Sequence, residues 1–149
     1  MSSIKQQLLT LCRQKVEASL ADSENAIADA RSAVHNETKS SAGDKYETGR
    51  EMLQQEIELH MTRIAELRKS IAALDLLECS YNKYVGPGSL ITTSIGTFYM
   101  SVGIGKLNLH GMEYHTLTAF SPLGKLLLGK TAGGTVLMNG KQIQILSVE

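Results

Sequence analysis

The chain has 149 residues, and its 15 Lys/Arg balance its 15 Asp/Glu. That length supports one domain or two small ones. A neutral chain gives no electrostatic basis for sequence-specific binding of bare nucleic acid, which takes several phosphate-neutralising cations on one face. Cys12 and Cys79 are too few for a disulfide scaffold or a Cys-rich zinc site, and they read as small buried or half-buried apolar residues.

No apolar run approaches the roughly 18 residues of a membrane span, so no membrane association is expected. The Met1–Gln7 start lacks a signal-peptide core, which makes the cytoplasm the expected location. Composition shifts sharply after residue 82. Residues 1–82 hold 10 Lys/Arg against 13 Asp/Glu, whereas residues 83–149 hold 5 Lys against 2 Glu. Eleven of the 13 glycines and both prolines fall in the second part. The expected division is therefore 1–82, helix-forming and charged, and 83–149, glycine-rich and β-branched.

Along the first part, apolar positions recur at Leu9, Cys12, Val16, Leu20, Ser23, Ile27, Ala30 and Val34. Steps of three and four keep them on one helical face from Ser3 to about Asn36. A second helix starts near Asp44 and carries Leu53, Ile57, Met61, Ile64, Leu67, Ile71, Leu74 and Leu77 at heptad-like spacing. Each helix is about 33 residues, roughly 50 Å long, and its narrow stripe needs a partner. Asn, Ser and Gly between His35 and Gly43 mark the turn of an antiparallel coiled-coil hairpin with its tip at about 36–44. Such an intramolecular hairpin predicts a monomer.

Val85–Ser89 is a Pro/Gly linker. Strands are expected at Leu90–Ile95, Thr97–Val102, Lys106–Leu109 and Glu113–Thr118, the last two pairing across His110-Gly111. A short helix follows over Ser121–Gly129, with Pro122 at its first position, where a missing N–H costs nothing. Gly129 suits its left-handed end. A hairpin of Val136–Met138 with Gln142–Val148 turns at Asn139-Gly140. Helices first and then a small mixed unit make the fold class α+β.

Chemistry-bearing motifs are scarce. His110, Glu113 and His115 lack a further ligand nearby and read as a solvated turn. Gly124, Gly129, Gly133 and Gly134 have neither dinucleotide-binding nor Walker spacing. No nucleophile elbow or Ser/His/Asp set is present. Of Leu123, Leu126, Leu127 and Leu128, one short helix cannot bury all, so one or two should line an exposed patch.

The segment Ser121-Pro122, Gly124, Leu127, Leu128, Gly129-Lys130, followed by a glycine turn and two last strands, resembles the Gre transcript-cleavage factors of bacterial RNA polymerase. Around the tip, Glu37–Ala42 and then Tyr46–Glu51 echo that family's acidic loop and its Tyr-x-x-x-Arg-Glu entry into the second helix. The resemblance implies a coiled-coil hairpin followed by an FKBP-like domain. That domain would dock on core RNA polymerase at the rim of the secondary channel through Ser121, Pro122, Leu123, Gly124, Lys125, Leu126, Leu127, Gly129 and Lys130. The tip would present carboxylates to the active-site magnesium, with Glu37 and Asp44 as the catalytic candidates and Glu37 as a metal ligand only in the complex. The protein would carry no cofactor of its own, would use the polymerase's Mg²⁺, and would at most stimulate the polymerase's own cleavage of backtracked RNA, without being an enzyme itself.

One departure stands out. Ser40 occupies the second acidic position of the family loop, and a single carboxylate would hold a second magnesium poorly. That leaves a channel-occupying competitor without cleavage activity as an alternative. A coiled-coil interaction or oligomerisation protein is another. A prolyl isomerase is a third, drawing on Phe98, Tyr99, Tyr114, Phe120 and Tyr84.

Overall fold

The computed structural model describes residues 3–39 and 44–149, and side chains at 3–36 and 48–149. Two long helices, α1 (Ile4–Lys39) and α2 (Asp44–Asp75), precede a small domain. That domain contains β1 (Leu90–Thr93), β2 (Gly96–Met100), β3 (Lys106–Leu109), β4 (Met112–Leu117), α3 (Pro122–Leu127), β5 (Thr135–Met138) and β6 (Lys141–Val148). The fold is α+β, as the sequence pattern implies. Among the described residues, no helix is long and apolar enough to cross a membrane.

Two compact units emerge, one of Met1–Lys15 with Ala72–Glu149 and one of Val16–Ile71. The second unit is helical. Its contacts run in opposite directions along the two helices: Glu24 faces Arg68 at 3.8 Å, Ile27 and Ala30 pack with Ile57 and Ile64, and Val34 and Leu53 join the same cluster. The helices are therefore antiparallel.

The seam departs from the apolar pattern at one place. Met61 is 53% exposed, and His60 takes the inward position instead. Leu53, Ile57, His60, Ile64, Leu67, Ile71 and Leu74 follow alternating steps of four and three, which is what a seam between two helices selects. The His60 Nδ1 is buried without a hydrogen-bond partner, while its Nε2 sits 3.9 Å from Glu56.

The first unit is built on one six-stranded sheet of order β3-β4-β2-β1-β6-β5. Three local hairpins supply it: β1–β2, β3–β4 and β5–β6, all antiparallel. Left-handed turn residues close two of them, His110 and Gly111 at φ 52° and 77°, and Asn139 and Gly140 at φ 51° and 78°. These are the turns whose twist matches that of the flanking strands. Parallel pairing of β2 with β4 and antiparallel pairing of β1 with β6 join the hairpins.

One sheet face carries the core of Ile91, Met100, Leu117, Leu127, Val136, Ile143, Ile145 and Val148. By strand alternation, Leu90, Tyr99, Leu107 and Tyr114 lie on the other face, and all four are buried. The first turns of α1 belong to the same unit. Ser3 and Gln6 cap this helix reciprocally, each side chain accepting from the other's backbone N–H at 3.1 Å. Leu8, rather than Leu9, is fully buried, as is Cys12, whose Sγ lies 3.7 Å from Ser101 Oγ. Lys5 Nζ donates to the carbonyls of Ser80 (2.6 Å) and Glu149 (3.2 Å), Lys15 Nζ to that of Lys106 (3.0 Å), and Arg13 pairs with Asp75 at 2.7 Å.

Burial pushes the Cys12 thiol's pKa upward, against a smaller opposing effect of its contact with Ser101. A buried thiol kept protonated is a poor nucleophile. Under native conditions at pH 8, alkylation of Cys12 is expected to be at least about a hundredfold slower than in denaturant. Peptide mass mapping after a timed alkylation measures this, and equal native and denatured rates would contradict the burial.

Candidate functional site: the α3 surface

Helix α3 is fixed at both ends by its own sequence. Ser121 is the N-cap: its Oγ accepts from the Gly124 N–H at 3.1 Å and donates to the Thr118 carbonyl at 2.8 Å. Its N–H in turn donates to Thr118 Oγ1 at 3.1 Å. Replacing such a cap by alanine typically costs about 1 kcal/mol. Pro122 follows in the first turn.

At the far end, Gly129 adopts φ 79° and donates to the Val85 carbonyl at 2.8 Å, while Val85 donates back to the Lys130 carbonyl at 2.8 Å. This reciprocal pair ties the end of α3 to the linker that precedes β1. Gly124 meets the tightest constraint. A Cβ there would lie 1.9 Å from the Thr118 carbonyl oxygen and 2.8 Å from Ser121 Oγ.

These contacts sort the docking candidates into two groups. Ser121, Gly124 and Leu127 hold the turn together, and Leu127 is fully buried in the sheet core. Leu123 packs against the same core. These residues are therefore not an outward-facing surface. A helix of six residues has one buried side, and Gly124 and Leu127, three apart, define it.

Pro122, Lys125, Leu126, Gly129 and Lys130 are exposed. Leu128, 46% exposed, joins Leu126 as the two leucines of the run that face outward, in line with the one or two expected, and Phe120, 84% exposed, extends this surface. Tyr84 is also exposed, adjoins Val85 in sequence, and has Lys83 Nζ 5.6 Å from its ring centroid. Large apolar side chains flanked by lysines at a rigid turn match the composition of a protein-docking surface with an acidic counterpart.

The tip candidates Glu37, Asp44 and Ser40 lie outside the residues whose side chains are described. Of the aromatic residues weighed for an isomerase pocket, Tyr99 and Tyr114 lie on one sheet face and Phe98 on the other, while Phe120 is in solvent. They do not converge on one cavity. His110 Nε2 meets Gln7 Oε1 at 2.7 Å, and His115 Nε2 lies 4.0 Å from Glu113. Among the described residues, no group of three His, Cys, Asp or Glu is placed to hold a metal.

No family model matches the chain, and no curated protein matches it. Among solved structures, it is similar to one of the transcription factor Gfh1, at 17% identity over 92% of either chain and a TM-score of 0.38. It is also similar to GreA factor homolog 1 of Thermus thermophilus, at 19% identity over 92% of this chain and 94% of that one, with a TM-score of 0.37. Gfh1 of Thermus aquaticus follows at 19% identity over 91% and 92%, with a TM-score of 0.36. With such identities and scores, the functional reading rests on this chain's own residues.

Proposed function

We propose that this chain is a Gre-like transcription factor, a non-enzymatic protein that docks its sheet domain on RNA polymerase and directs its helical hairpin into the secondary channel. The observation that carries the reading is the α3 turn. Its buried positions are fixed by the cap, by Gly124 and by Leu127, which leaves Leu126, Leu128, Lys125 and Lys130 outward on a rigid frame. The sequence resemblance over Ser121–Lys130 supports the choice of partner. Binding of the purified chain to core RNA polymerase, compared with a Leu126→Asp/Leu128→Asp variant, tests it.

At the tip, Glu37 and Asp44 are the acidic candidates, and any second magnesium would be held jointly with the polymerase. Cleavage of backtracked RNA needs that second ion and an oriented water, which one firm carboxylate supplies poorly. Ser40 at the second acidic slot favours a channel-occupying factor with weak cleavage. Ser40→Asp is then expected to raise cleavage in stalled, backtracked complexes by at least about tenfold, since even groups one step removed from a metal alter its affinity by that much. The RNA products on a gel read this out. An unchanged rate, in a protein shown to occupy the channel, would count against the role of the slot.

A further inference from the structure

The six-stranded sheet has two edges, β3 and β5, and the chain protects only one of them. An edge strand presents a row of unpaired N–H and C=O groups, which proteins guard with charge or with a covering element. β3 is guarded. Leu109 and Met112 flank a two-residue turn and form a hydrogen-bonded pair, so the alternation turns the main chain of Lys106 and Asn108 outward. The Lys106 carbonyl there accepts from Lys15 Nζ at 3.0 Å, and the Lys106 ammonium pairs with Glu113 at 3.5 Å. The adjoining turn is held to α1 by His110 and Gln7 at 2.7 Å.

β5 has no such protection. Thr135-Val136-Leu137-Met138 contains neither a charge nor a proline. Its bonds to β6 run through Met138, Val136 and, just before the strand, Gly134, whose carbonyl accepts from the Ile145 N–H at 2.8 Å. The N–H and C=O of Thr135 and Leu137 therefore point outward. Among the described residues, no hydrogen bond reaches them. The Leu137 side chain is 67% exposed as well.

We propose that this edge pairs with β5 of a second copy, antiparallel about a two-fold axis at Val136, which joins two six-stranded sheets into one. With the axis there, Thr135 of each copy lies opposite Leu137 of the other. Both pairs exchange two hydrogen bonds, so every outward group of either strand is satisfied. An axis at Leu137 sets Thr135 against Asn139, and an axis at Thr135 sets Leu137 against Gly133. Those are left-handed turn residues, at φ 51° and 88°, and either choice forfeits half of the bonds. An axis between residues sets outward groups against inward ones. The edge is thus complementary to itself in one register.

Val136, buried on the core face, then meets its own counterpart across the axis, and Leu137 packs beside Thr135 of the other copy. A contact between four-residue strands is small, below the roughly 1,200 Å² of stable complexes, so the pairing is reversible. The monomer expected of an intramolecular hairpin is its dilute state.

Sedimentation velocity and amide hydrogen exchange of the full chain over a concentration series, without polymerase, test the inference independently of the function proposed above. Dimerisation is expected by roughly hundred-micromolar concentration. The Thr135 and Leu137 amides should exchange at least about tenfold more slowly in the dimer, whereas that of Val136, bonded to β6, should be protected at every concentration. Leu137→Pro removes one donor from each copy and is tolerated in the monomer, because that N–H faces outward at an edge. Leu137→Lys places on β5 the kind of guard that β3 carries and leaves the backbone intact. Each should weaken dimerisation by at least about tenfold, with circular dichroism showing that the fold is kept. A chain still monomeric at that concentration overturns the proposal. So does a dimer whose Thr135 and Leu137 amides stay unprotected, or one that Leu137→Lys leaves as strong as the parent.

Discussion

Gly124→Ala is expected to destabilise the sheet-bearing unit by about 3 kcal/mol, toward the upper end of overpacking effects. In an exposed helix interior the same change would stabilise by up to about 1 kcal/mol, because alanine is the better helix former. The clash decides the sign here. The added methyl would stand 1.9 Å from the Thr118 carbonyl oxygen, which is backbone and cannot swing aside as a flexible side chain would. Relief requires moving either the start of α3 or the segment after β4, and both are held by the Ser121–Thr118 hydrogen bonds. Denaturant unfolding followed by tyrosine fluorescence measures the loss, since four of the five tyrosines lie between residues 81 and 114. A variant as stable as the parent would show that the turn relaxes at little cost.

The second large effect concerns affinity. Leu126→Asp/Leu128→Asp is expected to weaken binding to core RNA polymerase by at least about a hundredfold, roughly 2.7 kcal/mol, as hot-spot truncations do. Both leucines are already exposed, at 37% and 46%, so stability should change by less than about 1 kcal/mol. Leu127→Ala is the contrasting control. With no exposed surface and a place in the core, Leu127 should cost about 2–5 kcal/mol of stability when truncated. Any loss of binding in that variant would follow from unfolding. Isothermal titration of the double aspartate variant separates the cases. Undiminished affinity would move the docking surface elsewhere, and no affinity in the parent chain would remove the polymerase from the reading.

The charged and exposed character of Lys125 and Lys130 was legible in the sequence, and so was the capped turn at Ser121-Pro122. Which leucine faces outward was not. Leu126, Leu127 and Leu128 are adjacent and equally apolar, so only the side of α3 that meets the sheet distinguishes them. Met61 and His60 make the same point on α2. Apolarity favours Met61 for the seam, while alternation of steps of four and three from Ile57 to Ile64 admits either position. Packing against α1 selects His60, despite an unpartnered Nδ1.

By itself the sequence determined what depends on near neighbours. The 3.6-residue periodicity set α1 and α2. The His110-Gly111 and Asn139-Gly140 turns set two hairpins, and the Ser121 cap with Gly129 set the ends of α3. Only the tertiary structure decided the rest. The parallel pairing of β2 with β4, the meeting of β1 with β6, and the grouping of the first turns of α1 with the sheet join residues far apart in the chain. No local pattern encodes these partners. They follow from which faces must be covered, a quantity defined only once the whole chain has folded.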